Sequence, residues 1–171
     1  MNPAKKEFTR KSLVLYLALN MLLTALLVVS SVFLRDKEEW NYVMLISLLF
    51  LLVYGMYLLY RFTTLIPAAK ISLSRLCLGC GLLLGMIMLV YANLYLQVYE
   101  LRDGRAFTGR SLNGDDFLYF SITTFTTTGY GDITAVGPIS KAVAASEMLL
   151  GFVSNAIFMT ILAAKLVTKL K

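Results

Sequence analysis

The residues best suited to chemistry lie at positions 126–132, where the sequence is TTTGYGD. Gly129 and Gly131 flank a single residue, and glycine adopts positive φ without a steric penalty. Consecutive backbone carbonyls can then point the same way, an arrangement that neither a helix nor a strand allows. Several such segments around one axis would replace the water shell of a cation with carbonyl oxygens. One chain supplies one segment, so this chemistry requires a symmetric oligomer.

Other elements must position such irregular backbone, and the sequence offers four long apolar stretches for that role. They cover residues 12–34, 40–60, 76–99 and 138–164. About 20 helical residues cross a hydrocarbon core of about 30 Å, so all four stretches predict membrane-spanning helices. A chain of 171 residues cannot enclose four such helices in a soluble core. The first stretch is interpreted as a retained helix, because it is long for a signal peptide and lacks a small-residue cleavage site.

The composition excludes most enzymes. Hydrophobic residues make up 58% of the chain and charged residues 15%, whereas soluble domains carry about 25% charged residues. The chain has no histidine, which rules out histidine metal ligands, Ser-His or Cys-His catalysis and a histidine pH switch. We therefore expect a membrane protein that is not an enzyme and that uses no cofactor.

The net charge of +6 follows the predicted membrane topology. Ten basic residues and one acidic residue lie in the two termini and between the second and third stretches, whereas six basic and eight acidic residues lie on the opposite side. This asymmetry predicts a multi-pass protein of the plasma (inner) membrane with both termini cytoplasmic. The charge thus indicates a lipid bilayer as the partner and not a nucleic acid. Trp40 and Tyr99, at helix ends, are typical interfacial anchors.

The connection between the third and fourth stretches is long for an external hairpin loop. Its first part, residues 100–113, is polar and contains glycine, so we expect an exposed loop there. Asn113, Asp115 and Asp116 are good capping residues ahead of a half-apolar run. The pattern predicts a helix over 115–126 that is too short to span and is therefore re-entrant. The predicted fold is all-α and integral to the membrane, with four transmembrane helices and, between helices 3 and 4, a re-entrant helix followed by an irregular loop.

The motif TTGYGD at 127–132 resembles the selectivity filter of potassium channels, TVGYGD, with Thr128 in the valine position. The chain looks like a small bacterial-type member with four helices and a single pore loop. The resemblance covers residues 76–171 and implies a pore domain there, which leaves residues 1–75 as an N-terminal two-helix membrane region. It also implies that the re-entrant helix and the loop between helices 3 and 4 are a pore helix and a selectivity-filter loop. The implied assembly is a homotetramer that conducts K⁺ passively.

The resemblance implies that K⁺ binds to the backbone carbonyls of four consecutive residues: Thr127, Thr128, Gly129 and Tyr130. The Thr127 hydroxyl would contribute at the inner end, Gly131 would complete the filter, and Asp132 would stand at the outer mouth. K⁺ is then the permeant ion and not a cofactor.

The same resemblance implies side chains that support the filter. The Tyr130 ring would turn away from the axis into a cuff of pore-helix aromatics, formed here by Tyr119 and Phe120 where some channels have a pair of tryptophans. The C-terminal end of the pore helix would face an inner cavity. Its free carbonyls carry partial negative charge, which stabilises a cation there.

Glu147 is the single charged residue between positions 142 and 164, where a carboxylate costs about 2.5–3.5 kcal/mol. Glu147 and Gly151 are four residues apart and share one helix face. Our hypothesis is that Glu147 supports the filter from behind by bonding to the pore helix, at Ser121 or Thr123. The alternative is a protonated or superficially placed side chain. Gly151 is the hinge that the resembled family has near this place, a site of close helix packing, or both.

Cys77 and Cys80 form a C-x-x-C pair. We interpret them as small packing residues, since they lie at the predicted cytoplasmic end of a membrane helix, in a reducing compartment. Two other functions stay open at this point. A K⁺ transporter or uptake-system subunit usually has four pore-like repeats with filters reduced to one glycine, whereas this chain has one repeat with both glycines. A non-conducting regulatory membrane protein is the third possibility.

Overall fold

The computed structural model describes residues 38–65, 73–109 and 111–170, together with the isolated positions 18, 21, 22 and 25. The first predicted span, 12–34, lies outside the described residues except at those four positions. The described residues form four helices: α1 (Glu38–Leu65), α2 (Leu73–Leu101), α3 (Gly114–Phe125) and α4 (Pro138–Leu170).

Three of these helices are long and apolar enough to cross a membrane. Their candidate spans are Tyr42–Tyr60 in α1, Cys77–Leu101 in α2 and Pro138–Ala164 in α4. These spans coincide with the second, third and fourth apolar stretches of the sequence. The chain is thus an all-helical membrane protein in its described part, with the short helix α3 between the last two spans.

The short helix α3 begins at a well-capped first turn. The backbone N–H of Asn113 donates a hydrogen bond to Asp116 Oδ2 at 2.8 Å. Asp115 and Asp116 also place negative charge beside the positive end of the helix dipole. The 12 residues of α3 give it a length of about 18 Å, well short of a membrane crossing.

Helix α2 is the centre of the described fold. Its candidate span is 56% buried, compared with 22% for the span of α1 and 17% for that of α4. α1 contributes the buried side chains of Leu48 and Leu51 to the shared core. α3 packs against both α2 and α4, so these two long helices determine the depth and direction of the short one.

Aromatic rings hold α3 against α2. The rings of Tyr95 and Phe120 meet edge to face with their centroids 4.9 Å apart. Phe107, from the connection between these helices, lies 5.1 Å from Phe117 and 5.5 Å from Phe120, again edge to face. Such pairs contribute about 0.5–1.5 kcal/mol beyond the burial of their surface. The connection therefore belongs to the core that positions α3.

The expectation of an exposed loop over residues 100–113 is wrong for its central part. Ala106 and Phe107 are buried, with 2% and 4% of their surfaces exposed. Phe107 pairs with Ala135 in an isolated antiparallel bridge, and the Ser140 hydroxyl donates a hydrogen bond to Ala106 O at 2.8 Å. The connection thus ties the C-terminal end of α2 to the start of α4. Two buried residues within a polar stretch are too few to produce a recognisable apolar pattern.

Replacing Phe107 by Ala removes the ring that contacts both Phe117 and Phe120. We expect the free energy of unfolding to fall by about 3–5 kcal/mol, measured by thermal or denaturant unfolding of the purified protein in detergent micelles. Arg105→Ala, an exposed change in the same connection, is the control and should alter stability by less than about 0.5 kcal/mol. Equal effects of the two substitutions would show that Phe107 is not part of the core.

Candidate functional site

Residues 126–132 follow the end of α3, and the sign of the backbone angle φ alternates along them. Thr127, Gly129 and Gly131 have positive φ angles of 59°, 53° and 80°, whereas Thr128 and Tyr130 between them do not. Positive φ at every second residue is incompatible with a regular helix or strand, in which all residues keep negative φ. The segment is therefore irregular backbone in which two of the three positive φ angles belong to glycine.

The positive φ of Thr127 is a feature that the sequence did not predict. A residue with a side chain pays roughly 1–2 kcal/mol for this conformation, because Cβ crowds a neighbouring carbonyl oxygen. Strained residues of this kind cluster at functional sites, where the surrounding structure maintains them. One such contact is the hydrogen bond that the Thr127 N–H donates to Thr124 O at 3.1 Å.

Thr123 anchors the start of the segment through its backbone carbonyl. The carbonyl oxygen accepts hydrogen bonds from the N–H groups of Thr128 at 2.9 Å and Gly129 at 3.1 Å. The Thr123 hydroxyl is buried and donates to Phe120 O at 3.0 Å, inside α3. The structure thus brings Thr123 next to the glycine motif, and the contact runs through the backbone.

Tyr119 is the aromatic residue of α3 that lies beside Tyr130. The two rings are parallel to within 4°, with their centroids 6.3 Å apart. A hydrogen bond to Asp132 is the main cause that raises the pKa of the Tyr119 hydroxyl above its ordinary value. Tyr119, Tyr130 and Asp132 therefore form one group at the end of the segment. Phe120, the second aromatic residue of the expected cuff, packs against Tyr95 of α2 instead.

Glu147 is fully buried, with 0% of its surface exposed. Its Oε1 lies 2.5 Å from Ser121 Oγ in α3. Its Oε2 accepts a hydrogen bond from the Tyr95 hydroxyl of α2 at 2.5 Å. Of the two residues of α3 considered from the sequence, the structure places Ser121 and not Thr123 against the carboxyl group. Full burial also excludes a superficial position for this side chain.

Sequence reasoning missed the tyrosines that face α4. Tyr95 bonds to Glu147, and the hydroxyl of Tyr91 lies 3.1 Å from Ser146 Oγ. Tyr91 and Tyr95 are four residues apart and share one face of α2. Because a buried tyrosine hydroxyl usually finds a hydrogen-bond partner, this spacing was the available signal for a polar contact with a neighbouring helix.

Gly151 lies against the C-terminal end of α3. A Cβ atom built on it would stand 2.3 Å from the carbonyl oxygen of Phe125 and 3.0 Å from the carbonyl carbon. Both atoms belong to the backbone and cannot rotate away. Of the two interpretations drawn from the sequence, close packing is therefore realised at Gly151 in this structure.

These features together define a class of protein: an integral membrane protein in which a short helix and a segment of alternating φ lie between two helices that are long and apolar enough to span. The family model described as "Ion channel" matches residues 80–168, just over half of the chain, and the chain belongs to this family. The match includes α3, residues 126–132 and nearly all of α4. Searches of curated proteins and of solved structures gave no match.

Replacing Gly151 by Ala forces a methyl group into the backbone of Phe125. We expect α3 and α4 to separate locally and the free energy of unfolding to fall by about 1–3 kcal/mol, as in other overpacked cores. Gly81→Ala in α2 is the matched control, because a Cβ there meets nothing within 4 Å. Thermal unfolding of both variants in detergent tests this. If Gly151→Ala is as stable as Gly81→Ala, the close approach is absent from the folded protein.

Proposed function

We propose that this chain is the subunit of a homotetrameric, K⁺-selective channel that passes ions down their electrochemical gradient. The observation that supports this best is the alternating backbone of residues 127–131 within the motif TTGYGD. Rows of carbonyl oxygens replace the hydration shell of K⁺ in potassium-selective filters. In the proposed filter, successive K⁺ sites are formed by four consecutive residues: Thr127, Thr128, Gly129 and Tyr130.

The proposal makes α3 a re-entrant pore helix. Gly151, which contacts the end of α3, is the central residue of the 27-residue candidate span Pro138–Ala164. An α3 that ends at this depth would stop near the middle of the membrane. Its last carbonyl groups carry partial negative charge, and four such ends around an axis would stabilise a cation that enters from the inner side.

The remaining site residues take supporting roles in this proposal. Asp132 stands at the outer mouth, close enough to Tyr119 of the pore helix to raise the pKa of the Tyr119 hydroxyl. Thr123 holds the inner end of the filter through its carbonyl. Phe120 supports the filter indirectly, because its ring fixes α3 on α2. A hinge at Gly151 remains part of the proposal, since a glycine that packs closely can also be the point where α4 bends.

The exposure of residues 126–132 on the single chain favours the tetramer. Every residue from 126 to 132 is exposed, and Tyr130 has 72% of its surface exposed. A filter segment at the surface of one subunit becomes enclosed only when several subunits surround one axis. Four copies around a closed ring satisfy this requirement.

The charge distribution supports a location in the plasma (inner) membrane with both termini cytoplasmic. Residues 126–132 would then open toward the outside, where the predicted surface carries more acidic than basic residues. This arrangement would concentrate cations at the entrance. Conduction needs no chemical step, because each ion exchanges water for carbonyl oxygens and moves under a force worth about 2.3 kcal/mol per charge for each 100 mV.

The test is ion flux through the purified protein in liposomes. We expect passive K⁺ flux that Ba²⁺ blocks and that is absent for Na⁺. Flux that requires a nucleotide or a second ion gradient would identify a transporter or uptake-system subunit instead. Complete absence of flux from tetramers would identify a non-conducting protein. A subunit count other than four by mass measurement in detergent would contradict the proposed stoichiometry.

Replacing Gly129 by Ala tests the backbone of the proposed filter. A Cβ at Gly129 meets nothing within 4 Å in the protomer, but the φ of +53° is strained for alanine. We expect the residue to leave this conformation, with a loss of K⁺ flux or of selectivity over Na⁺ of about tenfold or more. Gly114→Ala, also without a neighbour within 4 Å and without positive φ, is the matched control. Wild-type selectivity in Gly129→Ala would argue against a filter at this position.

A further inference from the structure

Glu147 belongs to a chain of oxygen atoms that connects three helices. The carbonyl oxygen of Met88 in α2 lies 2.8 Å from Ser121 Oγ in α3. Ser121 Oγ lies 2.5 Å from Glu147 Oε1 in α4, and Glu147 Oε2 lies 2.5 Å from the Tyr95 hydroxyl, again in α2. These four residues are named the Glu147 cluster below. It contains three oxygen-to-oxygen contacts, all at hydrogen-bond distance.

Each of these contacts needs one hydrogen atom. The carbonyl of Met88 can only accept, and the hydroxyl groups of Ser121 and Tyr95 supply one hydrogen each. If Glu147 is ionised, only two hydrogen atoms are available for the three contacts. One of the contacts of Ser121 then has no hydrogen atom, and two oxygen lone pairs repel each other across it. If Glu147 is neutral, its own hydrogen is the third and every contact is a hydrogen bond.

The neighbouring polar groups do not provide the missing hydrogen. Tyr91 is the other titratable residue of α2 on this side, and its hydroxyl lies 3.1 Å from Ser146 Oγ. The hydroxyl of Ser146 donates to Val143 O at 2.7 Å, so the hydrogen between Tyr91 and Ser146 comes from Tyr91. Both partners of the Glu147 carboxyl group are uncharged hydroxyls, so neither supplies the positive charge that would pair with a buried carboxylate.

We propose that Glu147 is a neutral carboxylic acid in the folded protein and donates a hydrogen bond from Oε1 to Ser121. Ser121 then donates to Met88 O, and Tyr95 donates to Glu147 Oε2. Glu147 is thereby a positioning residue that ties α3 to α4 and, through Ser121 and Tyr95, to α2 on both sides. Its effect on conduction rests on the proposed channel function, whereas its protonation does not.

The proposal predicts which substitutions the cluster tolerates. A glutamine amide donates from nitrogen and accepts at oxygen, so Glu147→Gln reproduces the hydrogen bonds of the neutral acid. It does not reproduce those of a carboxylate, which accepts on both sides. Glu147→Leu has similar volume and makes none of these bonds. Tyr91→Phe is the control, because the Tyr91 hydroxyl bonds to Ser146 and not to Glu147.

The direct measurement is solid-state NMR of the full-length protein in lipid bilayers, with glutamate labelled with ¹³C at the carboxyl carbon. The chain has five glutamates, and the Glu147 signal is the one that Glu147→Gln removes. We expect this signal at the shift of a protonated carboxyl group at neutral pH, where exposed glutamates are ionised. A signal at the carboxylate shift would overturn the proposal.

The second measurement compares thermal unfolding and the K⁺/Na⁺ flux ratio among the variants. Glu147→Gln and Tyr91→Phe should lie within about twofold of wild type, whereas Glu147→Leu and Ser121→Ala should shift the folded-to-unfolded equilibrium by about tenfold or more, because each leaves a buried group unpaired. A Glu147→Gln variant as impaired as Glu147→Leu would contradict the proposal. If the protein conducts no K⁺ but the NMR signal is that of an acid, the channel proposal fails and this inference stands.

Discussion

The constraint on which the structure depends is the position of a helix that stops inside the protein. α3 is too short to cross a membrane, so contacts with longer helices must determine where it ends. One of these contacts is at Gly151, where a side chain would overlap the carbonyl group of Phe125. Since residues 126–132 begin one residue later, any shift of this contact moves the whole segment that binds ions in the proposed function.

The contacts around α3 fall into two kinds with different physical roles. The aromatic rings of Tyr95, Phe107, Phe117 and Phe120 provide burial, which fixes the separation between α3 and α2. The cluster around Glu147 provides directional hydrogen bonds, which fix rotation and depth. A buried polar group that lacks a hydrogen-bond partner costs about 1–3 kcal/mol, so the Glu147 side chain is tolerated here because its partners are present. The short helix is therefore held on several sides before its last turn.

Much of this arrangement could be predicted from the sequence, because the signals are local. Lengths of apolar sequence predicted the spans that the structure shows in α1, α2 and α4, and capping residues predicted α3 to within one residue at each end. The burial of Phe107 and the bond between Tyr95 and Glu147 could not be predicted in this way. Both depend on contacts between different elements of the chain, and neither follows from a residue pattern within one helix.

The sequence by itself determined that this is a helical membrane protein, that a short helix precedes the motif TTGYGD, and where two glycines allow positive φ. The length of an apolar stretch and the conformational freedom of glycine are local properties of the sequence, so both can be recognised without knowing the tertiary structure. Only the tertiary structure decided that Gly151 packs against Phe125, that Ser121 and not Thr123 meets Glu147, and that Thr127 shares the left-handed conformation. These outcomes depend on the rotation and depth of one helix against another, which local patterns in the amino-acid sequence do not specify.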